Sequence, residues 1–330
     1  MKQHVVFFSA PEQAELREVD VPDTPLGPEE IAGPTVASVI SPGTELAVYQ
    51  GQLATGSFPT QSGYAAVLRV EQLGSEITGL SAGDLVLAMC PHQSWQRLPA
   101  SEALPVPEGL SAREAGFARL MNIGLSALTT TTARPPAPVL ITGLGLVGHL
   151  AALIFDRCGY EVLAVDPLES RRRLARSAGL CCVLESVPLD DPALAGQVEL
   201  ALECSGHEQA TLEACRMVRR RGEVVLAGVP WARRTDLSAH ELLYEVFHRY
   251  AVLRSGWEWE VPTHAADFRR GSLFEQMAAG MKWLAAGDLF LAEGLYDVAA
   301  PENATEVYAK LLRREGTGLT TVFEWIVESG

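Results

Sequence analysis

The chain has 330 residues, 48% of them hydrophobic, which suffices for two domains with sizeable cores. Its 41 acidic residues outnumber 26 basic ones, for a formal net charge of −15, so nucleic acid and anionic membrane are poor partners. No apolar run approaches the roughly 20 residues of a membrane span. The opening stretch has too short an apolar run for a signal peptide, and the six cysteines form no Cys-x-x-Cys pair. A cytoplasmic, reduced, disulfide-free protein is expected.

Residues 1 to about 115 read as short strands, at 5–8, 31–40, 64–73 and 85–89. Turn residues punctuate them: Pro22, Pro25, Gly27-Pro28, Pro42-Gly43, Gly79 and Gly83-Asp84. Closely spaced strands without a long helical pattern predict a compact β-barrel-like domain. From about 116 to 256 strands alternate with helices. The strands are expected at 139–142, 162–165, 181–184, 200–203, 224–226 and 252–253, and the helices at 145–158, 169–177, 208–218 and 239–249. Six strands in this alternation predict a doubly wound parallel sheet. Beyond Gly256 come an amphipathic helix at 273–286, a helix near 302–314 and a closing strand at 320–327. This tail is expected to return to the first domain. The predicted boundaries are 1–118, 119–256 and 257–330.

The most informative stretch is VLITGLGLVGHLAALIFDRCGYEVLAVD, residues 139–166. A buried-strand run leads into Gly143, Gly145 and Gly148, spaced G-x-G-x-x-G; a helical pattern and a second strand then end on Asp166. Gly143 permits the tight turn, Gly145 lets a pyrophosphate approach the backbone, and Gly148 lets the helix pack on the sheet. The first helical N–H groups, around Leu146 and Val147, with the helix dipole, attract phosphate. Asp166 is placed to accept from adenosine ribose hydroxyls and to repel a 2′-phosphate, which favours NAD over NADP. Among Arg171, Arg172 and Arg173 most are expected to be solvated, with Arg171 a candidate to stack on adenine.

The order of domains resembles the medium-chain dehydrogenase/reductase family of alcohol and polyol dehydrogenases, across essentially the whole chain. Pro42-Gly-Thr-Glu45 is similar to the family's Cys-x-Ser/Thr-Asp segment. FPTQSGYAAV, residues 58–67, is similar to its P-x-x-x-G-His-Glu segment, and GLSAGDLVL, residues 79–87, to its G-D-R-V turn. Glu203-Cys-Ser-Gly206 and residues 222–228, ending on Gly228, resemble its late cofactor-domain signature. The resemblance implies a GroES-like β-barrel catalytic domain, a six-stranded Rossmann domain, bound NAD with Ser205 and Gly228 at its site, and a homodimer paired through the last strand of the cofactor sheet.

Zinc members bind the catalytic metal through Cys, His and a second Cys or acid. Here Pro42 and Tyr64 stand at the first two positions, Ala65 replaces an adjacent Glu, and the third region, residues 117–122, offers no Cys, His or acid. The resemblance therefore points to a zinc-free branch, with a partial likeness to bacteriochlorophyllide-type dehydrogenases. Proton chemistry then falls to side chains. Thr44 matches the family's relay hydroxyl and is also placed to cap a helix starting at Glu45. Tyr64 either donates to a carbonyl or fills the volume of the lost metal. Glu45 either orients these two or is a structural carboxylate. His92 is either a substrate contact or a loop histidine. Trp95, Trp231, Trp257 and Trp259 either line a cleft or pack.

The expected function is zinc-independent, NAD-dependent interconversion of a secondary alcohol and a ketone, on a small molecule such as a sugar, a cyclitol or an intermediate of specialised metabolism. The alternatives are a zinc-free quinone or enoyl reductase using NAD(P)H, and a non-catalytic NAD-binding interaction protein.

Overall fold

The computed structural model describes residues 2–21, 24–53 and 57–325, and the chain divides into two compact units. The first holds the described residues up to Arg119, Met281–Ala286 and those from Glu293 on. The second holds Leu120–Gly280 and Gly287–Ala292. The segment from 257 onward is thus shared: residues 257–280 cluster with the second unit.

In the first unit, β1 (Lys2–Ala10) pairs antiparallel with β2 (Gln13–Asp20). The long strand β3 (Glu30–Val39) runs into helix α1 (Pro42–Tyr49), and β4 (Thr60–Gln61) adds to β1. Then come β5 (Ala66–Arg69), β6 (Gln72–Leu73), β7 (Leu85–Ala88), β8 (Trp95–Pro99) and β9 (Ala103–Pro105). Strand β3 pairs with β5, β6 and β8 because its two ends serve different partners. Gly33 permits the change: a Cβ there would lie 1.8 Å from the Arg69 carbonyl oxygen. Short helix α2 (Ala112–Ala115) precedes α3 (Phe117–Thr130), which from Leu120 on belongs to the second unit.

The second unit is built on β10 (Pro138–Thr142), α4 (Leu146–Arg157), β11 (Glu161–Val165), α5 (Glu169–Ser177), β12 (Val183–Leu184), β13 (Val198–Glu203), α6 (Glu208–Met217), β14 (Val218–Leu226), α7 (Ala239–Arg249) and β15 (Val252–Ser255). The six strands are all parallel, in the order β12-β11-β10-β13-β14-β15. Their central runs are apolar because both faces of a parallel sheet are covered. Leu140, Val198, Ala201 and Val224 are buried in one cluster with Ala214 and Met217 of α6. The exceptions cluster at the carboxyl ends: Thr142, Asp166 and Glu203 are buried polar residues. The order of strands reverses at β10, and in such sheets ligands bind beyond the carboxyl ends there.

Helix α8 (Leu273–Ala285) follows, then β16 (Tyr296–Ala299), α9 (Ala304–Arg313) and β17 (Thr320–Glu324). Strand β17 joins β3, and α9 seals the first unit's core with Val307 and Tyr308. Phe8 meets Tyr49 at 5.3 Å and Tyr308 at 4.8 Å between ring centroids. Such aromatic pairs add about 0.5–1.5 kcal/mol each beyond area burial.

Several elements depart from the pattern reading. Helix α3 was not expected. Its apolar face buries Phe117, Leu120, Met121 and Leu125. Strand β5 begins at Ala66, two residues past the expected start at Tyr64. Strands β2 and β8 carry alternating burial, too polar on one face to stand out. The closing strand ends at Glu324; residues 326 and 327 and Pro22 lie outside the described residues.

Candidate functional site

The second unit forms a glycine-lined turn. Gly143 has φ +82°, a left-handed conformation that suits glycine, and a Cβ there would lie 2.8 Å from Ser205. A Cβ on Gly148 would lie 1.9 Å from the Gly143 carbonyl oxygen, so α4 can pack this close only with glycine. At Gly145, the N-cap of α4, an added Cβ would meet only Arg171 Nη1, at 3.9 Å. The chain here is bare backbone facing open space, as a pyrophosphate requires. The first backbone bond into α4 is His149 N–H to Gly145 at 2.8 Å. The N–H groups of Leu146, Val147 and Gly148 precede it and have no carbonyl one turn back within the helix.

Asp166 is 1% exposed. Its Oδ2 accepts from Leu144 N–H at 2.8 Å and from Arg171 Nη1 at 3.1 Å, and its Oδ1 accepts from Leu168 N–H at 2.8 Å. The acid knits the glycine turn to the end of β11, and its charge is already met by Arg171. Arg172 donates to the carbonyls of Asp166 and Pro167, both at 2.8 Å, and pairs with Glu169; Arg173 is exposed.

Beyond β13, Glu203 accepts from the Ser205 hydroxyl and N–H and from Gly206 N–H at 3.0 Å. Burial raises the Glu203 carboxyl above its usual range, against the lowering effect of these donors. Ser205 is thus held on Glu203, and Gly228 packs so that a Cβ would lie 2.3 Å from Gly206 N. The residues fit a dinucleotide: a Cβ-free cradle, a helix N-terminus and an acid at the end of β11.

Two buried polar side chains of this unit, His149 and Asn122, have no hydrogen-bond partner. Burial lowers the His149 imidazole from 6.5 to about 4, so it is neutral. Trp257 and Trp259 are exposed beside Arg254 and Glu260.

The first unit holds a different cluster around α1. Ser41 is the N-cap with Pro42 at the first helical position, so Thr44 lies within the first turn and does not cap the helix. The Ser41 hydroxyl is not used for capping. It accepts from the Tyr64 hydroxyl, while the Ser41 N–H donates 2.7 Å to Glu45 Oε1. Thr44 is a second hydroxyl in hydrogen-bond contact with Tyr64. Burial raises the Tyr64 phenol above 10, with the Glu45 charge adding to it; the Ser41 and Thr44 hydroxyls and the Arg119 charge act in the opposite direction. Tyr64 is only partly buried, whereas the Arg119 side chain lies 4.8 Å from its ring centroid and is 3% exposed.

For Glu45 and His92 the geometry matches the structural alternatives, a bonded carboxylate and a loop histidine. Glu45 Oε2 accepts from Tyr308 Oη at 2.5 Å and pairs with His92 Nε2 at 3.1 Å. His92 Nδ1 lies 2.7 Å from Ser38 Oγ, which accepts from Trp325 Nε1 at 2.8 Å. One arrangement uses every donor in this chain of groups. Trp325 donates to Ser38, Ser38 to Nδ1, and Nε2–H to the carboxylate. His92 is fully buried with both nitrogens committed, so it has none left for substrate. Glu45 orients neither Thr44 nor Tyr64 directly. Its carboxylate ties α1 to α9 and to the His92 loop.

Among the described residues no group of three or more His, Cys, Asp or Glu side chains can hold a metal ion. Pro42, Tyr64 and residues 117–122 supply no thiolate or imidazole, and the nearby imidazole is spoken for. Among the described residues of the first unit, the donor set does not fit a tetrahedral zinc.

Sequence reasoning missed Arg119. A single arginine in the apolar run Phe117-Ala-Arg-Leu-Met was the available signal. Its partner Tyr64 lies 55 positions earlier, and no local pattern links the two.

A family model described as zinc-binding dehydrogenase matches residues 147–264. An alcohol dehydrogenase of Geobacillus stearothermophilus is 28% identical over 162 residues, which cover 43% of this chain and 47% of that protein. The chain thus matches about half the length of this relative. Two solved structures share the fold. One is acetophenone reductase from Geotrichum candidum in complex with NAD (TM-score 0.77, 19% identity, covering 98% of this chain and 97% of that one). The other is a zinc-binding dehydrogenase of Sinorhizobium meliloti bound to NADP (TM-score 0.77, 15% identity, covering 98% and 99%). The glycine turn, the parallel six-stranded sheet and the β-rich first unit are all present: the chain shares the fold of these two structures, and its residues 147–264 match the zinc-binding dehydrogenase model.

Proposed function

We propose that the protein is an oxidoreductase that interconverts a secondary alcohol and a ketone of a small molecule, with NAD(H) and without zinc. The observation that carries this reading is the hydroxyl cluster of Ser41, Thr44 and Tyr64 at the positions where zinc members hold metal ligands. When bound, the nicotinamide supplies or accepts the hydride. The glycine turn and the N-terminus of α4 would hold its pyrophosphate, and Asp166 its ribose.

Tyr64 retains its proton at neutral pH because burial raises its phenol. It is therefore suited to donate to a carbonyl oxygen as the carbonyl carbon gains hydride. The phenolic O–H bond breaks, the alcohol O–H forms, and solvent restores the phenol proton. In the oxidative direction the steps reverse: the phenol first releases its proton to solvent through the Ser41 hydroxyl, and the phenolate then takes the alcohol proton as the carbon gives up hydride. Homodimerisation through the edge of β15 belongs to the same proposal, supported by exposed Leu243, Tyr244, Phe247 and Tyr250 on and beside α7.

A reductase reading with NADPH is favoured by one observation, Arg171 beside Asp166. A dissociation-constant panel of NAD, NADH, NADP and NADPH, followed by an alcohol and ketone screen, separates the two. Tighter NAD(H) binding with alcohol–ketone turnover supports the first. NADPH-only reduction of quinones or enones supports the second.

A further inference from the structure

We propose that Arg119 is a positioning residue that replaces the charge of the missing metal: its guanidinium, held over the face of Tyr64, stabilises the negative charge left on the phenol after proton donation. The inference deepens the preceding reading and rests on Tyr64 as the proton group.

The Arg119 side chain lies 4.8 Å from the Tyr64 ring centroid and is 3% exposed. A cation on an aromatic face is attracted by the ring quadrupole, more strongly where water is excluded. When the ring oxygen gains charge, the ordinary Coulomb attraction adds to this. Arginine suits the task because its planar guanidinium stacks and does not lose its proton in a protein. It lies within residues 117–122, the segment that in zinc members supplies a metal ligand, and Tyr64 lies at another such position. In this chain a fixed cation and a phenol stand at those two places.

The other groups facing Tyr64 make the charge necessary. Glu45, from α1, opposes ionisation of the phenol. The Ser41 and Thr44 hydroxyls favour it but carry no charge. The His92 ring lies behind Gly63, where a Cβ would meet it at 2.5 Å. Among the groups that act on this phenol, Arg119 is the cation.

The test uses the full-length protein with Arg119→Lys and Arg119→Met. A fluorinated tyrosine at position 64 brings the phenol titration into a pH range where the fold is intact, and Tyr64→Phe is the spectroscopic blank. In Arg119→Met the phenol titration, read by ultraviolet difference without cofactor or substrate, should move to higher pH. The alkaline limb of the reduction rate should move with it, and kcat should fall about tenfold with KM for NADH unchanged. Arg119→Lys, which keeps charge but not stacking, should move part of the way. If the Met variant does not fold, the Lys variant decides alone. An unmoved titration in any folded variant overturns the proposal. The ultraviolet titration needs no turnover, so it stands or falls separately from the reading of the activity, which fails if no alcohol or ketone is converted.

Discussion

Tyr308 and Glu45 are 263 residues apart in sequence, yet the Tyr308 hydroxyl donates to the Glu45 carboxylate at 2.5 Å with both side chains buried. This bond fastens α9 to α1 and supplies one of three donors to a carboxylate shut away from water. Tyr308→Phe removes the donor and keeps the ring among Phe8, Tyr49 and Phe323. It should cost about 1–3 kcal/mol of stability, the usual penalty for stripping a buried acceptor. The pH profile of turnover should not move. Denaturant melts and rate–pH curves check both halves, and a stable variant with a shifted profile would place the bond in the chemistry.

The second and third glycines of the turn should fail differently. Gly148→Ala forces a Cβ to 1.9 Å from a backbone oxygen, so it should lower the melting temperature and abolish dinucleotide binding together. Gly145→Ala meets only open space, so it should fold normally and still bind NAD(H) at least tenfold more weakly, because its methyl occupies the approach of the pyrophosphate. Calorimetry of both variants separates the effects. Unchanged affinity in Gly145→Ala would remove the pyrophosphate from this turn.

Asp166 should favour NAD(H) over NADP(H), with Arg171 moderating the preference. Asp166→Ser should shrink the ratio of dissociation constants at one ionic strength. It should also destabilise the unit, because Leu144 and Leu168 N–H lose their acceptor. Arg171→Ala should widen the ratio by leaving the carboxylate uncompensated. Tighter NADP binding by the unmodified protein would contradict the assignment.

His149 sets an acid limit on the fold. Its folded value near 4 lies below the usual 6.5, so the unfolded chain binds more protons between those values. Stability from this group is therefore complete above pH 6.5 and lost as pH falls toward 4. The full gap corresponds to about 3 kcal/mol. His149→Leu should remove that component, and the difference between the two melting curves from pH 7 to pH 4 reads it. Parallel curves would refute it.

The cofactor unit was legible because its signals are local. Gly143, Gly145, Gly148 and Asp166 all lie within one strand–helix–strand stretch, and each is required by backbone geometry that its neighbours in sequence dictate. The first unit was not legible in the same way. Glu45 has a family-like place in the sequence, but its partners Tyr308 and His92 arrive through the pairing of β17 with β3 and through the loop before β8. Helix α3 was hidden because its apolar residues repeat at helical spacing without capping signals. Arg119 was hidden with it, since its meaning lies in a ring 55 positions earlier.

The central claim is that proton chemistry rests on Tyr64 and not on a bound metal. Elemental analysis of the purified protein, combined with a rate assay before and after chelation, tests it most directly. The account predicts less than stoichiometric zinc, a rate unaffected by chelator, and a Tyr64→Phe variant that binds NAD(H) normally while losing about a hundredfold in kcat. One zinc per chain, with activity lost on chelation and restored by added zinc, would contradict it.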